Sequence, residues 1–224
     1  IVVDNNSTDK IDELIKNYSK FNIKLLKVNN NGVIAASRNL GIKNSKGNLI
    51  AFLDSDDWWK PNKLYSSIKI FTKYQNIDLV YHNCILTSIS RKKNSHCRKL
   101  NENNFQDLVI NGNTIITSSV VLKKDHIKNS ILFSEKNEMI GWEDYHLWLK
   151  LAMLKKEFFF IKENLGYYWY GENNHDNPKQ IIKNTGLIYD IIIKPFLIEN
   201  PQSSVWWINY TRGLAYLNLK DKKN

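Results

Sequence analysis

The sequence has only two cysteines, Cys84 and Cys97, and they carry no metal-site spacing. That excludes a cysteine-built metal module and fits reduced thiols of a cytoplasmic protein. No apolar run approaches the ~20 residues that a membrane helix needs. No secretory signal is visible. The expected location is therefore cytoplasmic, with peripheral contact at the cytoplasmic membrane face left open. No nucleic-acid motif accompanies the basic residues, so DNA and RNA are not expected partners. A methionine start is also lacking. Ile1 opens in the middle of an apolar run, so an upstream segment is expected.

What is present points to a packed protein. The 224 residues are 42% hydrophobic and 12% aromatic, enough for one large domain or two small ones. The formal charge is +10. Such a balance suits an anionic membrane surface or a phosphorylated substrate. Arg91-Lys-Lys93 and Lys220-Asp-Lys-Lys223 are local clusters on a chain whose basic residues are otherwise spread out.

The chain is organised around Asn48-Leu-Ile-Ala-Phe-Leu-Asp-Ser-Asp-Asp-Trp-Trp-Lys-Pro61. Leu49 to Leu53 reads as a central strand buried on both faces. It ends in Asp54, Asp56 and Asp57. On an extended chain Asp54 and Asp56 would face one side. Carboxylates at a strand's carboxyl end suit Mg²⁺ or Mn²⁺ carrying a substrate phosphate. The same four residues, Asp-Ser-Asp-Asp, are equally good turn and helix-capping chemistry.

Periodicity orders the rest. Ile1 to Val3 reads as a buried strand, with Ser7 or Thr8 capping a helix from Asp9. Ile23 to Val28 is a second strand and Val33 to Ile42 a helix. Strand, helix, strand, helix, strand predicts a mostly parallel α/β sheet. A helix is expected over 62–74 with Leu64, Ile68 and Phe71 inward, then a strand from Asp78 to Leu86. Residues 87–113 read as a loop with short elements. Ile115 to Leu122 is β-like, Lys123 to Lys128 a short helix, and Asp144 opens an amphipathic helix. Glu143 and Asp144 at that helix start read equally as a cap or as a general base. Phe158 to Ile161 and Gly166 to Tyr170 are two β candidates. Residues 179–219 are mainly helical, and their Trp206, Trp207 and Tyr210 fit either core packing or a membrane-interface contact. His175, in the Gly171–His175 loop, is not assigned to a metal.

Four stretches occur in one order: Ile1-Val-Val-Asp-Asn-Asn-Ser-Thr-Asp9, Asn31-Gly-Val-Ile-Ala-Ala-Ser-Arg-Asn-Leu-Gly41, Gly47-Asn-Leu-Ile-Ala-Phe-Leu-Asp-Ser-Asp-Asp57 and Gly141-Trp-Glu-Asp144. Together they resemble family 2 glycosyltransferases of the GT-A fold over roughly residues 1–170. The resemblance implies a Rossmann-like α/β domain over 1–175, with a nucleotide-sugar half (1–86) and an acceptor half (87–175). A helical C-terminal extension (176–224) follows. It implies inverting transfer from a nucleoside-diphosphate sugar, expected to be UDP-linked, to a hydroxyl of a saccharide or lipid-linked acceptor in bacterial surface polysaccharide synthesis. The implied cofactor is Mn²⁺ or Mg²⁺. Asp4 and Asn5 match the nucleotide-base pair, although the second position is usually Asp. Arg38 and Asp54 match positions near the nucleotide and ribose, and Asp56 matches the metal ligand. Asp57 is expected behind these, as a supporting residue. Asp144 matches the catalytic base, supported by Glu143. The competing classes are a nucleotidyltransferase and a non-catalytic sugar- or lipid-binding module. The first lacks its expected Gly-rich phosphate loop near the start.

Overall fold

The computed structural model describes residues 1–88, 92–94, 97–127, 131–170 and 177–221. Arg91, the Gly171–His175 loop with His175, and Lys222 and Lys223 lie outside the described residues. In chain order the main elements are β1 (Val2–Asp4), α1 (Ile11–Lys16), β2 (Leu25–Lys27), α2 (Ile34–Asn44), β3 (Leu49–Ala51), β4 (Trp58–Trp59), α3 (Lys63–Lys73), β5 (Ile77–Thr87), β6 (Lys92–Asn94), α4 (Asn104–Asn111), β7 (Val121–Lys123), α5 (Glu143–Met153), β8 (Glu157–Trp169), α6 (Pro178–Ile188), α7 (Lys194–Glu199) and α8 (Trp206–Asp221).

The α/β class holds, and the sheet pairing is mixed. β1 and β2 form a parallel pair. A six-stranded sheet runs β3-β7-β5-β8-β4, with β6 on β5. There β5 and β8 are parallel, while β3–β7, β4–β8, β5–β6 and β5–β7 are antiparallel. β3 therefore ends the strand order instead of occupying its centre, and only Ile50 of its three residues is buried. β1 forms where expected, yet Ile1 and Val2 are exposed; Val3 packs toward α2 beside Gly41.

β5 explains most of the packing. Alternate side chains of a strand leave on opposite faces. Leu79 and Tyr81 enter the main core, whereas Val80 joins Phe71 and Val121 on the other face; Ile77 joins them too, across a register irregularity between Ile77 and Leu79. The two late aromatic runs are one strand, β8, paired with β5 throughout. His82 pairs with Ile161 and Asn83 with Asn164, so the ladder bulges between them, and Asn83 Nδ2 binds Lys162 O at 2.9 Å. Gly166 lies where a Cβ would come within 3.2 Å of Trp58 O, which lets β4 lie close on β8.

The expected loop over 87–113 contains α4. Asn103 caps it through the Gln106 amide, and Gly112, at φ +76°, ends it. Thr117–Ser119 is a 3-10 turn, so only the end of the β-like run, as β7, is strand. Ser7 gives its amide to Asp4 and caps nothing; α1 begins without a side-chain cap. α6 continues through a π-helical turn (Tyr189–Ile193) into α7. Ile188, Ile193, Phe196 and Ile208 enter the same core as Leu108, Leu147 and Trp148.

Candidate active site

β3 stops at Ala51, and the chain turns where the carboxylates lie. The amide of Asp57 donates to Asp54 O at 3.1 Å. The segment is thus a turn and not an extended strand end, so the alternation expected for Asp54 and Asp56 does not apply. Both still line one cavity of about 1150 Å³. Ser118 braces the turn: its hydroxyl accepts from the Asp54 amide at 3.0 Å, and its carbonyl accepts from Trp59 Nε1 at 2.7 Å. The Thr117–Ser119 turn makes this possible by aiming side chains at the loop. Read as part of a strand, it gave no warning of that role.

Arg38, on α2, ties two distant segments together. Its Nη2 lies 2.8 and 2.9 Å from the Asp54 carboxylate oxygens, and its Nε lies 3.2 Å from Oδ1. Its Nη1 lies 2.5 Å from Glu143 Oε1. Burial alone would lower the Arg38 pKa, but the Asp54 and Glu143 carboxylates outweigh it and raise it. Planar, bidentate guanidinium geometry suits this clamp and lysine could not reproduce it.

Glu143 and Asp144 open α5, whose first turn has no side-chain cap from Trp142. Glu143 Oε2 accepts from the Gly141 amide at 2.7 Å. Asp144 accepts from the Tyr145 amide at 2.5 Å and from Thr117 Oγ1 at 3.0 Å. Its pKa is raised well above the usual carboxylate range. Burial is the main cause and Glu143 adds to it; Arg38 and the two hydrogen bonds oppose it. Both carboxylates thus stand at the start of α5 without a conventional side-chain cap.

The remaining candidates divide. Asn5 lines the cavity, and its side-chain oxygen accepts from the Asn30 amide at 2.8 Å. Asp4 does not line it; its carboxylate takes the Ser7 amide at 3.0 Å, and the Ser7 hydroxyl, ahead of that amide, lowers its pKa. Asp57 is buried, accepts from the Trp169 amide at 2.8 Å, and is pushed up to about 6, chiefly by burial. Thr117 and Tyr168 line the cavity too, and no motif marked them in the sequence.

Among the described residues no group of three or more His, Cys, Asp or Glu could hold a metal. Mg²⁺ and Mn²⁺ sites commonly use one or two carboxylates, with substrate phosphates and water completing the shell. Asp56, exposed on the cavity wall beside Asp54, fits that shared role and not a resident cage.

The family model for glycosyl transferase family 2 matches residues 1–159. The Escherichia coli protein UDP-Glc:alpha-D-GlcNAc-diphosphoundecaprenol beta-1,3-glucosyltransferase WfaP is 29% identical over 205 residues, covering 87% of this chain and 75% of its own. Staphylococcus aureus TarS 1–349 in complex with UDP superposes with TM-score 0.59 at 20% identity, over 84% of this chain and 55% of that one. The mannosyltransferase PcManGT from Pyrobaculum calidifontis, in complex with GDP-Man and Mn²⁺, gives TM-score 0.60 at 13% identity, over 98% of this chain and 65% of that one. The chain therefore spans about half of the TarS structure it resembles. A turn of aspartates clamped by Arg38 to the start of α5, on a fold shared with these transferases, accompanies a family match over most of the chain: it belongs to glycosyltransferase family 2 and has the GT-A fold.

Proposed function

We propose that this chain is an inverting glycosyltransferase that moves a sugar from a UDP-linked donor to a hydroxyl of a saccharide or lipid-linked acceptor in bacterial surface polysaccharide assembly. The observation that carries this is the Arg38 clamp. It fixes the Asp54 turn to Glu143, so a diphosphate-handling loop and a basic carboxylate, Asp144, share one cavity. UDP bound to TarS, and UDP-Glc in the name of WfaP, support the donor class. The diphosphoundecaprenol in that same name supports a lipid-linked acceptor.

In this reading Asn5 faces the nucleotide base and Asp4 holds the loop behind it. Asp54, with both oxygens on Arg38, orients the ribose. Asp56 would hold Mn²⁺ or Mg²⁺ together with the donor diphosphate, and the ion supplies charge neutralisation for the departing group. Asp144 takes the acceptor hydroxyl's proton as that oxygen bonds to the anomeric carbon and the carbon–diphosphate bond breaks. Attack from the face opposite the leaving group inverts the centre, as in inverting glycoside hydrolysis. Glu143 holds the Arg38 clamp and keeps Asp144 basic. Family membership disfavours a nucleotidyltransferase. The test against a non-catalytic module is a thermal shift with UDP and Mn²⁺, followed by metal-dependent hydrolysis of a panel of nucleotide sugars. Asp144→Asn should keep the shift and lose turnover by ~10²-fold or more. Normal turnover in that variant would remove the base assignment, and no response to UDP with Mn²⁺ would remove the transferase reading.

The exposed face of α8 carries the proposed peripheral contact with the inner membrane face. Trp206, Tyr210, Leu214 and Leu217 share it by helical spacing, and all four are exposed.

A further inference from the structure

A second cavity, of about 260 Å³, adjoins the first. Asn113, Gly141 and Asp144 line both. Its other walls are Trp142, Tyr145, Trp207 and Thr211. The volume falls just below the roughly 300 Å³ at which drug-sized ligand sites begin, so it suits a single ring and not a nucleotide.

Its walls are built, not incidental. The Trp142 and Trp207 ring centroids lie 5.9 Å apart, and Tyr145 lies 5.9 and 5.8 Å from them, edge-on to each. Trp207 is fixed on three sides. Its Nε1 donates to Val109 O at 2.9 Å, its ring passes 3.3 Å from where a Cβ on Gly112 would stand, and its edge meets Tyr145. Gly112 thus does more than end α4, since a side chain there would crowd the Trp207 indole. Tyr145 is held by its hydroxyl to Leu108 O at 2.7 Å. Rigid aromatic faces with polar groups at the rim match a pyranose, whose C–H faces are apolar and whose hydroxyls point outward.

We infer that this cavity seats the ring of the acceptor saccharide that presents its hydroxyl to Asp144. The inference rests on the transferase reading and extends it by naming the wall that selects the acceptor. Trp207 and Thr211 come from α8, beyond the 1–159 matched by the family model. Acceptor choice is thereby assigned to the C-terminal helix, while donor handling stays with the segments the family shares.

The test reads the tryptophans directly. The chain has seven, and the ¹H–¹⁵N indole signals of Trp142 and Trp207 are identified with Trp142→Phe and Trp207→Phe. The chain is titrated with methyl glycosides of glucose, galactose and N-acetylglucosamine, which present the ring without a lipid-like tail. At least one should shift these two signals selectively, and Thr211→Trp, which fills the cavity from a half-exposed helix position, should abolish the shift. Thr211→Ser should retain it. The inference is overturned if none of the three shifts these signals up to roughly 100 mM, beyond even weak millimolar binding. A shift spread over all seven indoles, or one that survives Thr211→Trp, overturns it equally. The UDP and Mn²⁺ thermal shift is independent of this readout, so a failed cavity and a failed donor site are told apart.

Discussion

Asp144 stands where two opposing influences meet. A helix start favours a carboxylate anion, whereas burial and a neighbouring carboxylate favour its protonated form. Burial and Glu143 win here, and the pKa is raised. The proposed base must be deprotonated to act, so transfer should fall off on the acid side well above the ordinary carboxylate range. Glu143→Gln removes the negative neighbour and leaves Arg38 facing Asp144 with one fewer carboxylate to satisfy. Both changes lower the Asp144 pKa. The acid limb of kcat/KM against pH should therefore move down by roughly one unit. An unmoved limb would mean that the limb belongs to another group. Arg38→Lys keeps the charge but loses the bidentate grip on Asp54. It should weaken UDP binding, read by calorimetry, more than it alters the pH profile.

At the level of elements, helix α3 shows what periodicity reads and what it misses. The 62–74 helix is where the sequence puts it. Its buried stripe is Lys63, Ser67 and Phe71, while Leu64 and Ile68 are 42% and 49% exposed. Apolar spacing alone chose the wrong phase because a lysine lies inside. Lys63 Nζ sits 3.9 Å from the Trp59 ring centroid, and among the described residues it has no hydrogen-bond acceptor. Ser67, bonded to Lys63 O at 3.0 Å, is small enough to let the helix approach. A cation on an indole face is a tertiary contact that no local pattern encodes. The same holds for α4, hidden in an Asn-rich stretch, and for β3, whose apolar run suggested a centre although it lies at an end. The carboxylates of the candidate site were legible as a turn and a helix start, because that chemistry is local, while the roles proposed for them came only with the family resemblance. Trp207 and Gly112 were not legible, since their meaning depends on a contact across 95 residues of chain. Lys63 is pushed down to about 7, chiefly by burial. With a folded pKa below the unfolded one, the unfolded chain binds more protons between about pH 7 and 10.4, so stability rises with pH across that window. Lys63→Met should flatten that rise and raise stability at pH 7. Urea unfolding at pH 7 and pH 10 measures both, and an unchanged slope would show that the indole contact offsets the burial cost.

At the scale of the whole molecule, charge and apolar surface have to be weighed together. The C-terminal helices bury Ile188, Ile193, Phe196 and Ile208 in the core used by α5, and Trp207 shapes the cavity beside Asp144. That accounts for one aromatic of the Trp206–Tyr210 cluster. The other two point outward, with Trp206 63% and Tyr210 60% exposed. Their ring centroids lie 6.1 Å apart, so they form one aromatic surface. A lone exposed aromatic needs no explanation, but four apolar residues along one helix face do. No helix among the described residues is long and apolar enough to cross a membrane; an apolar stripe along a surface helix suits lying in an interface. The chain's +10 charge would draw it to anionic lipid, and the attraction weakens with salt. The chain should therefore co-sediment with phosphatidylglycerol vesicles at low salt, much less at high salt, and hardly with phosphatidylcholine. Replacing both Trp206 and Tyr210 by Ser removes two apolar side chains worth roughly 1 kcal/mol or more each, which is at least about tenfold in vesicle affinity. Donor hydrolysis in solution should not change, because neither residue lines either cavity. If the double variant sediments as the parent does, charge alone holds the chain to the vesicle and α8 faces water.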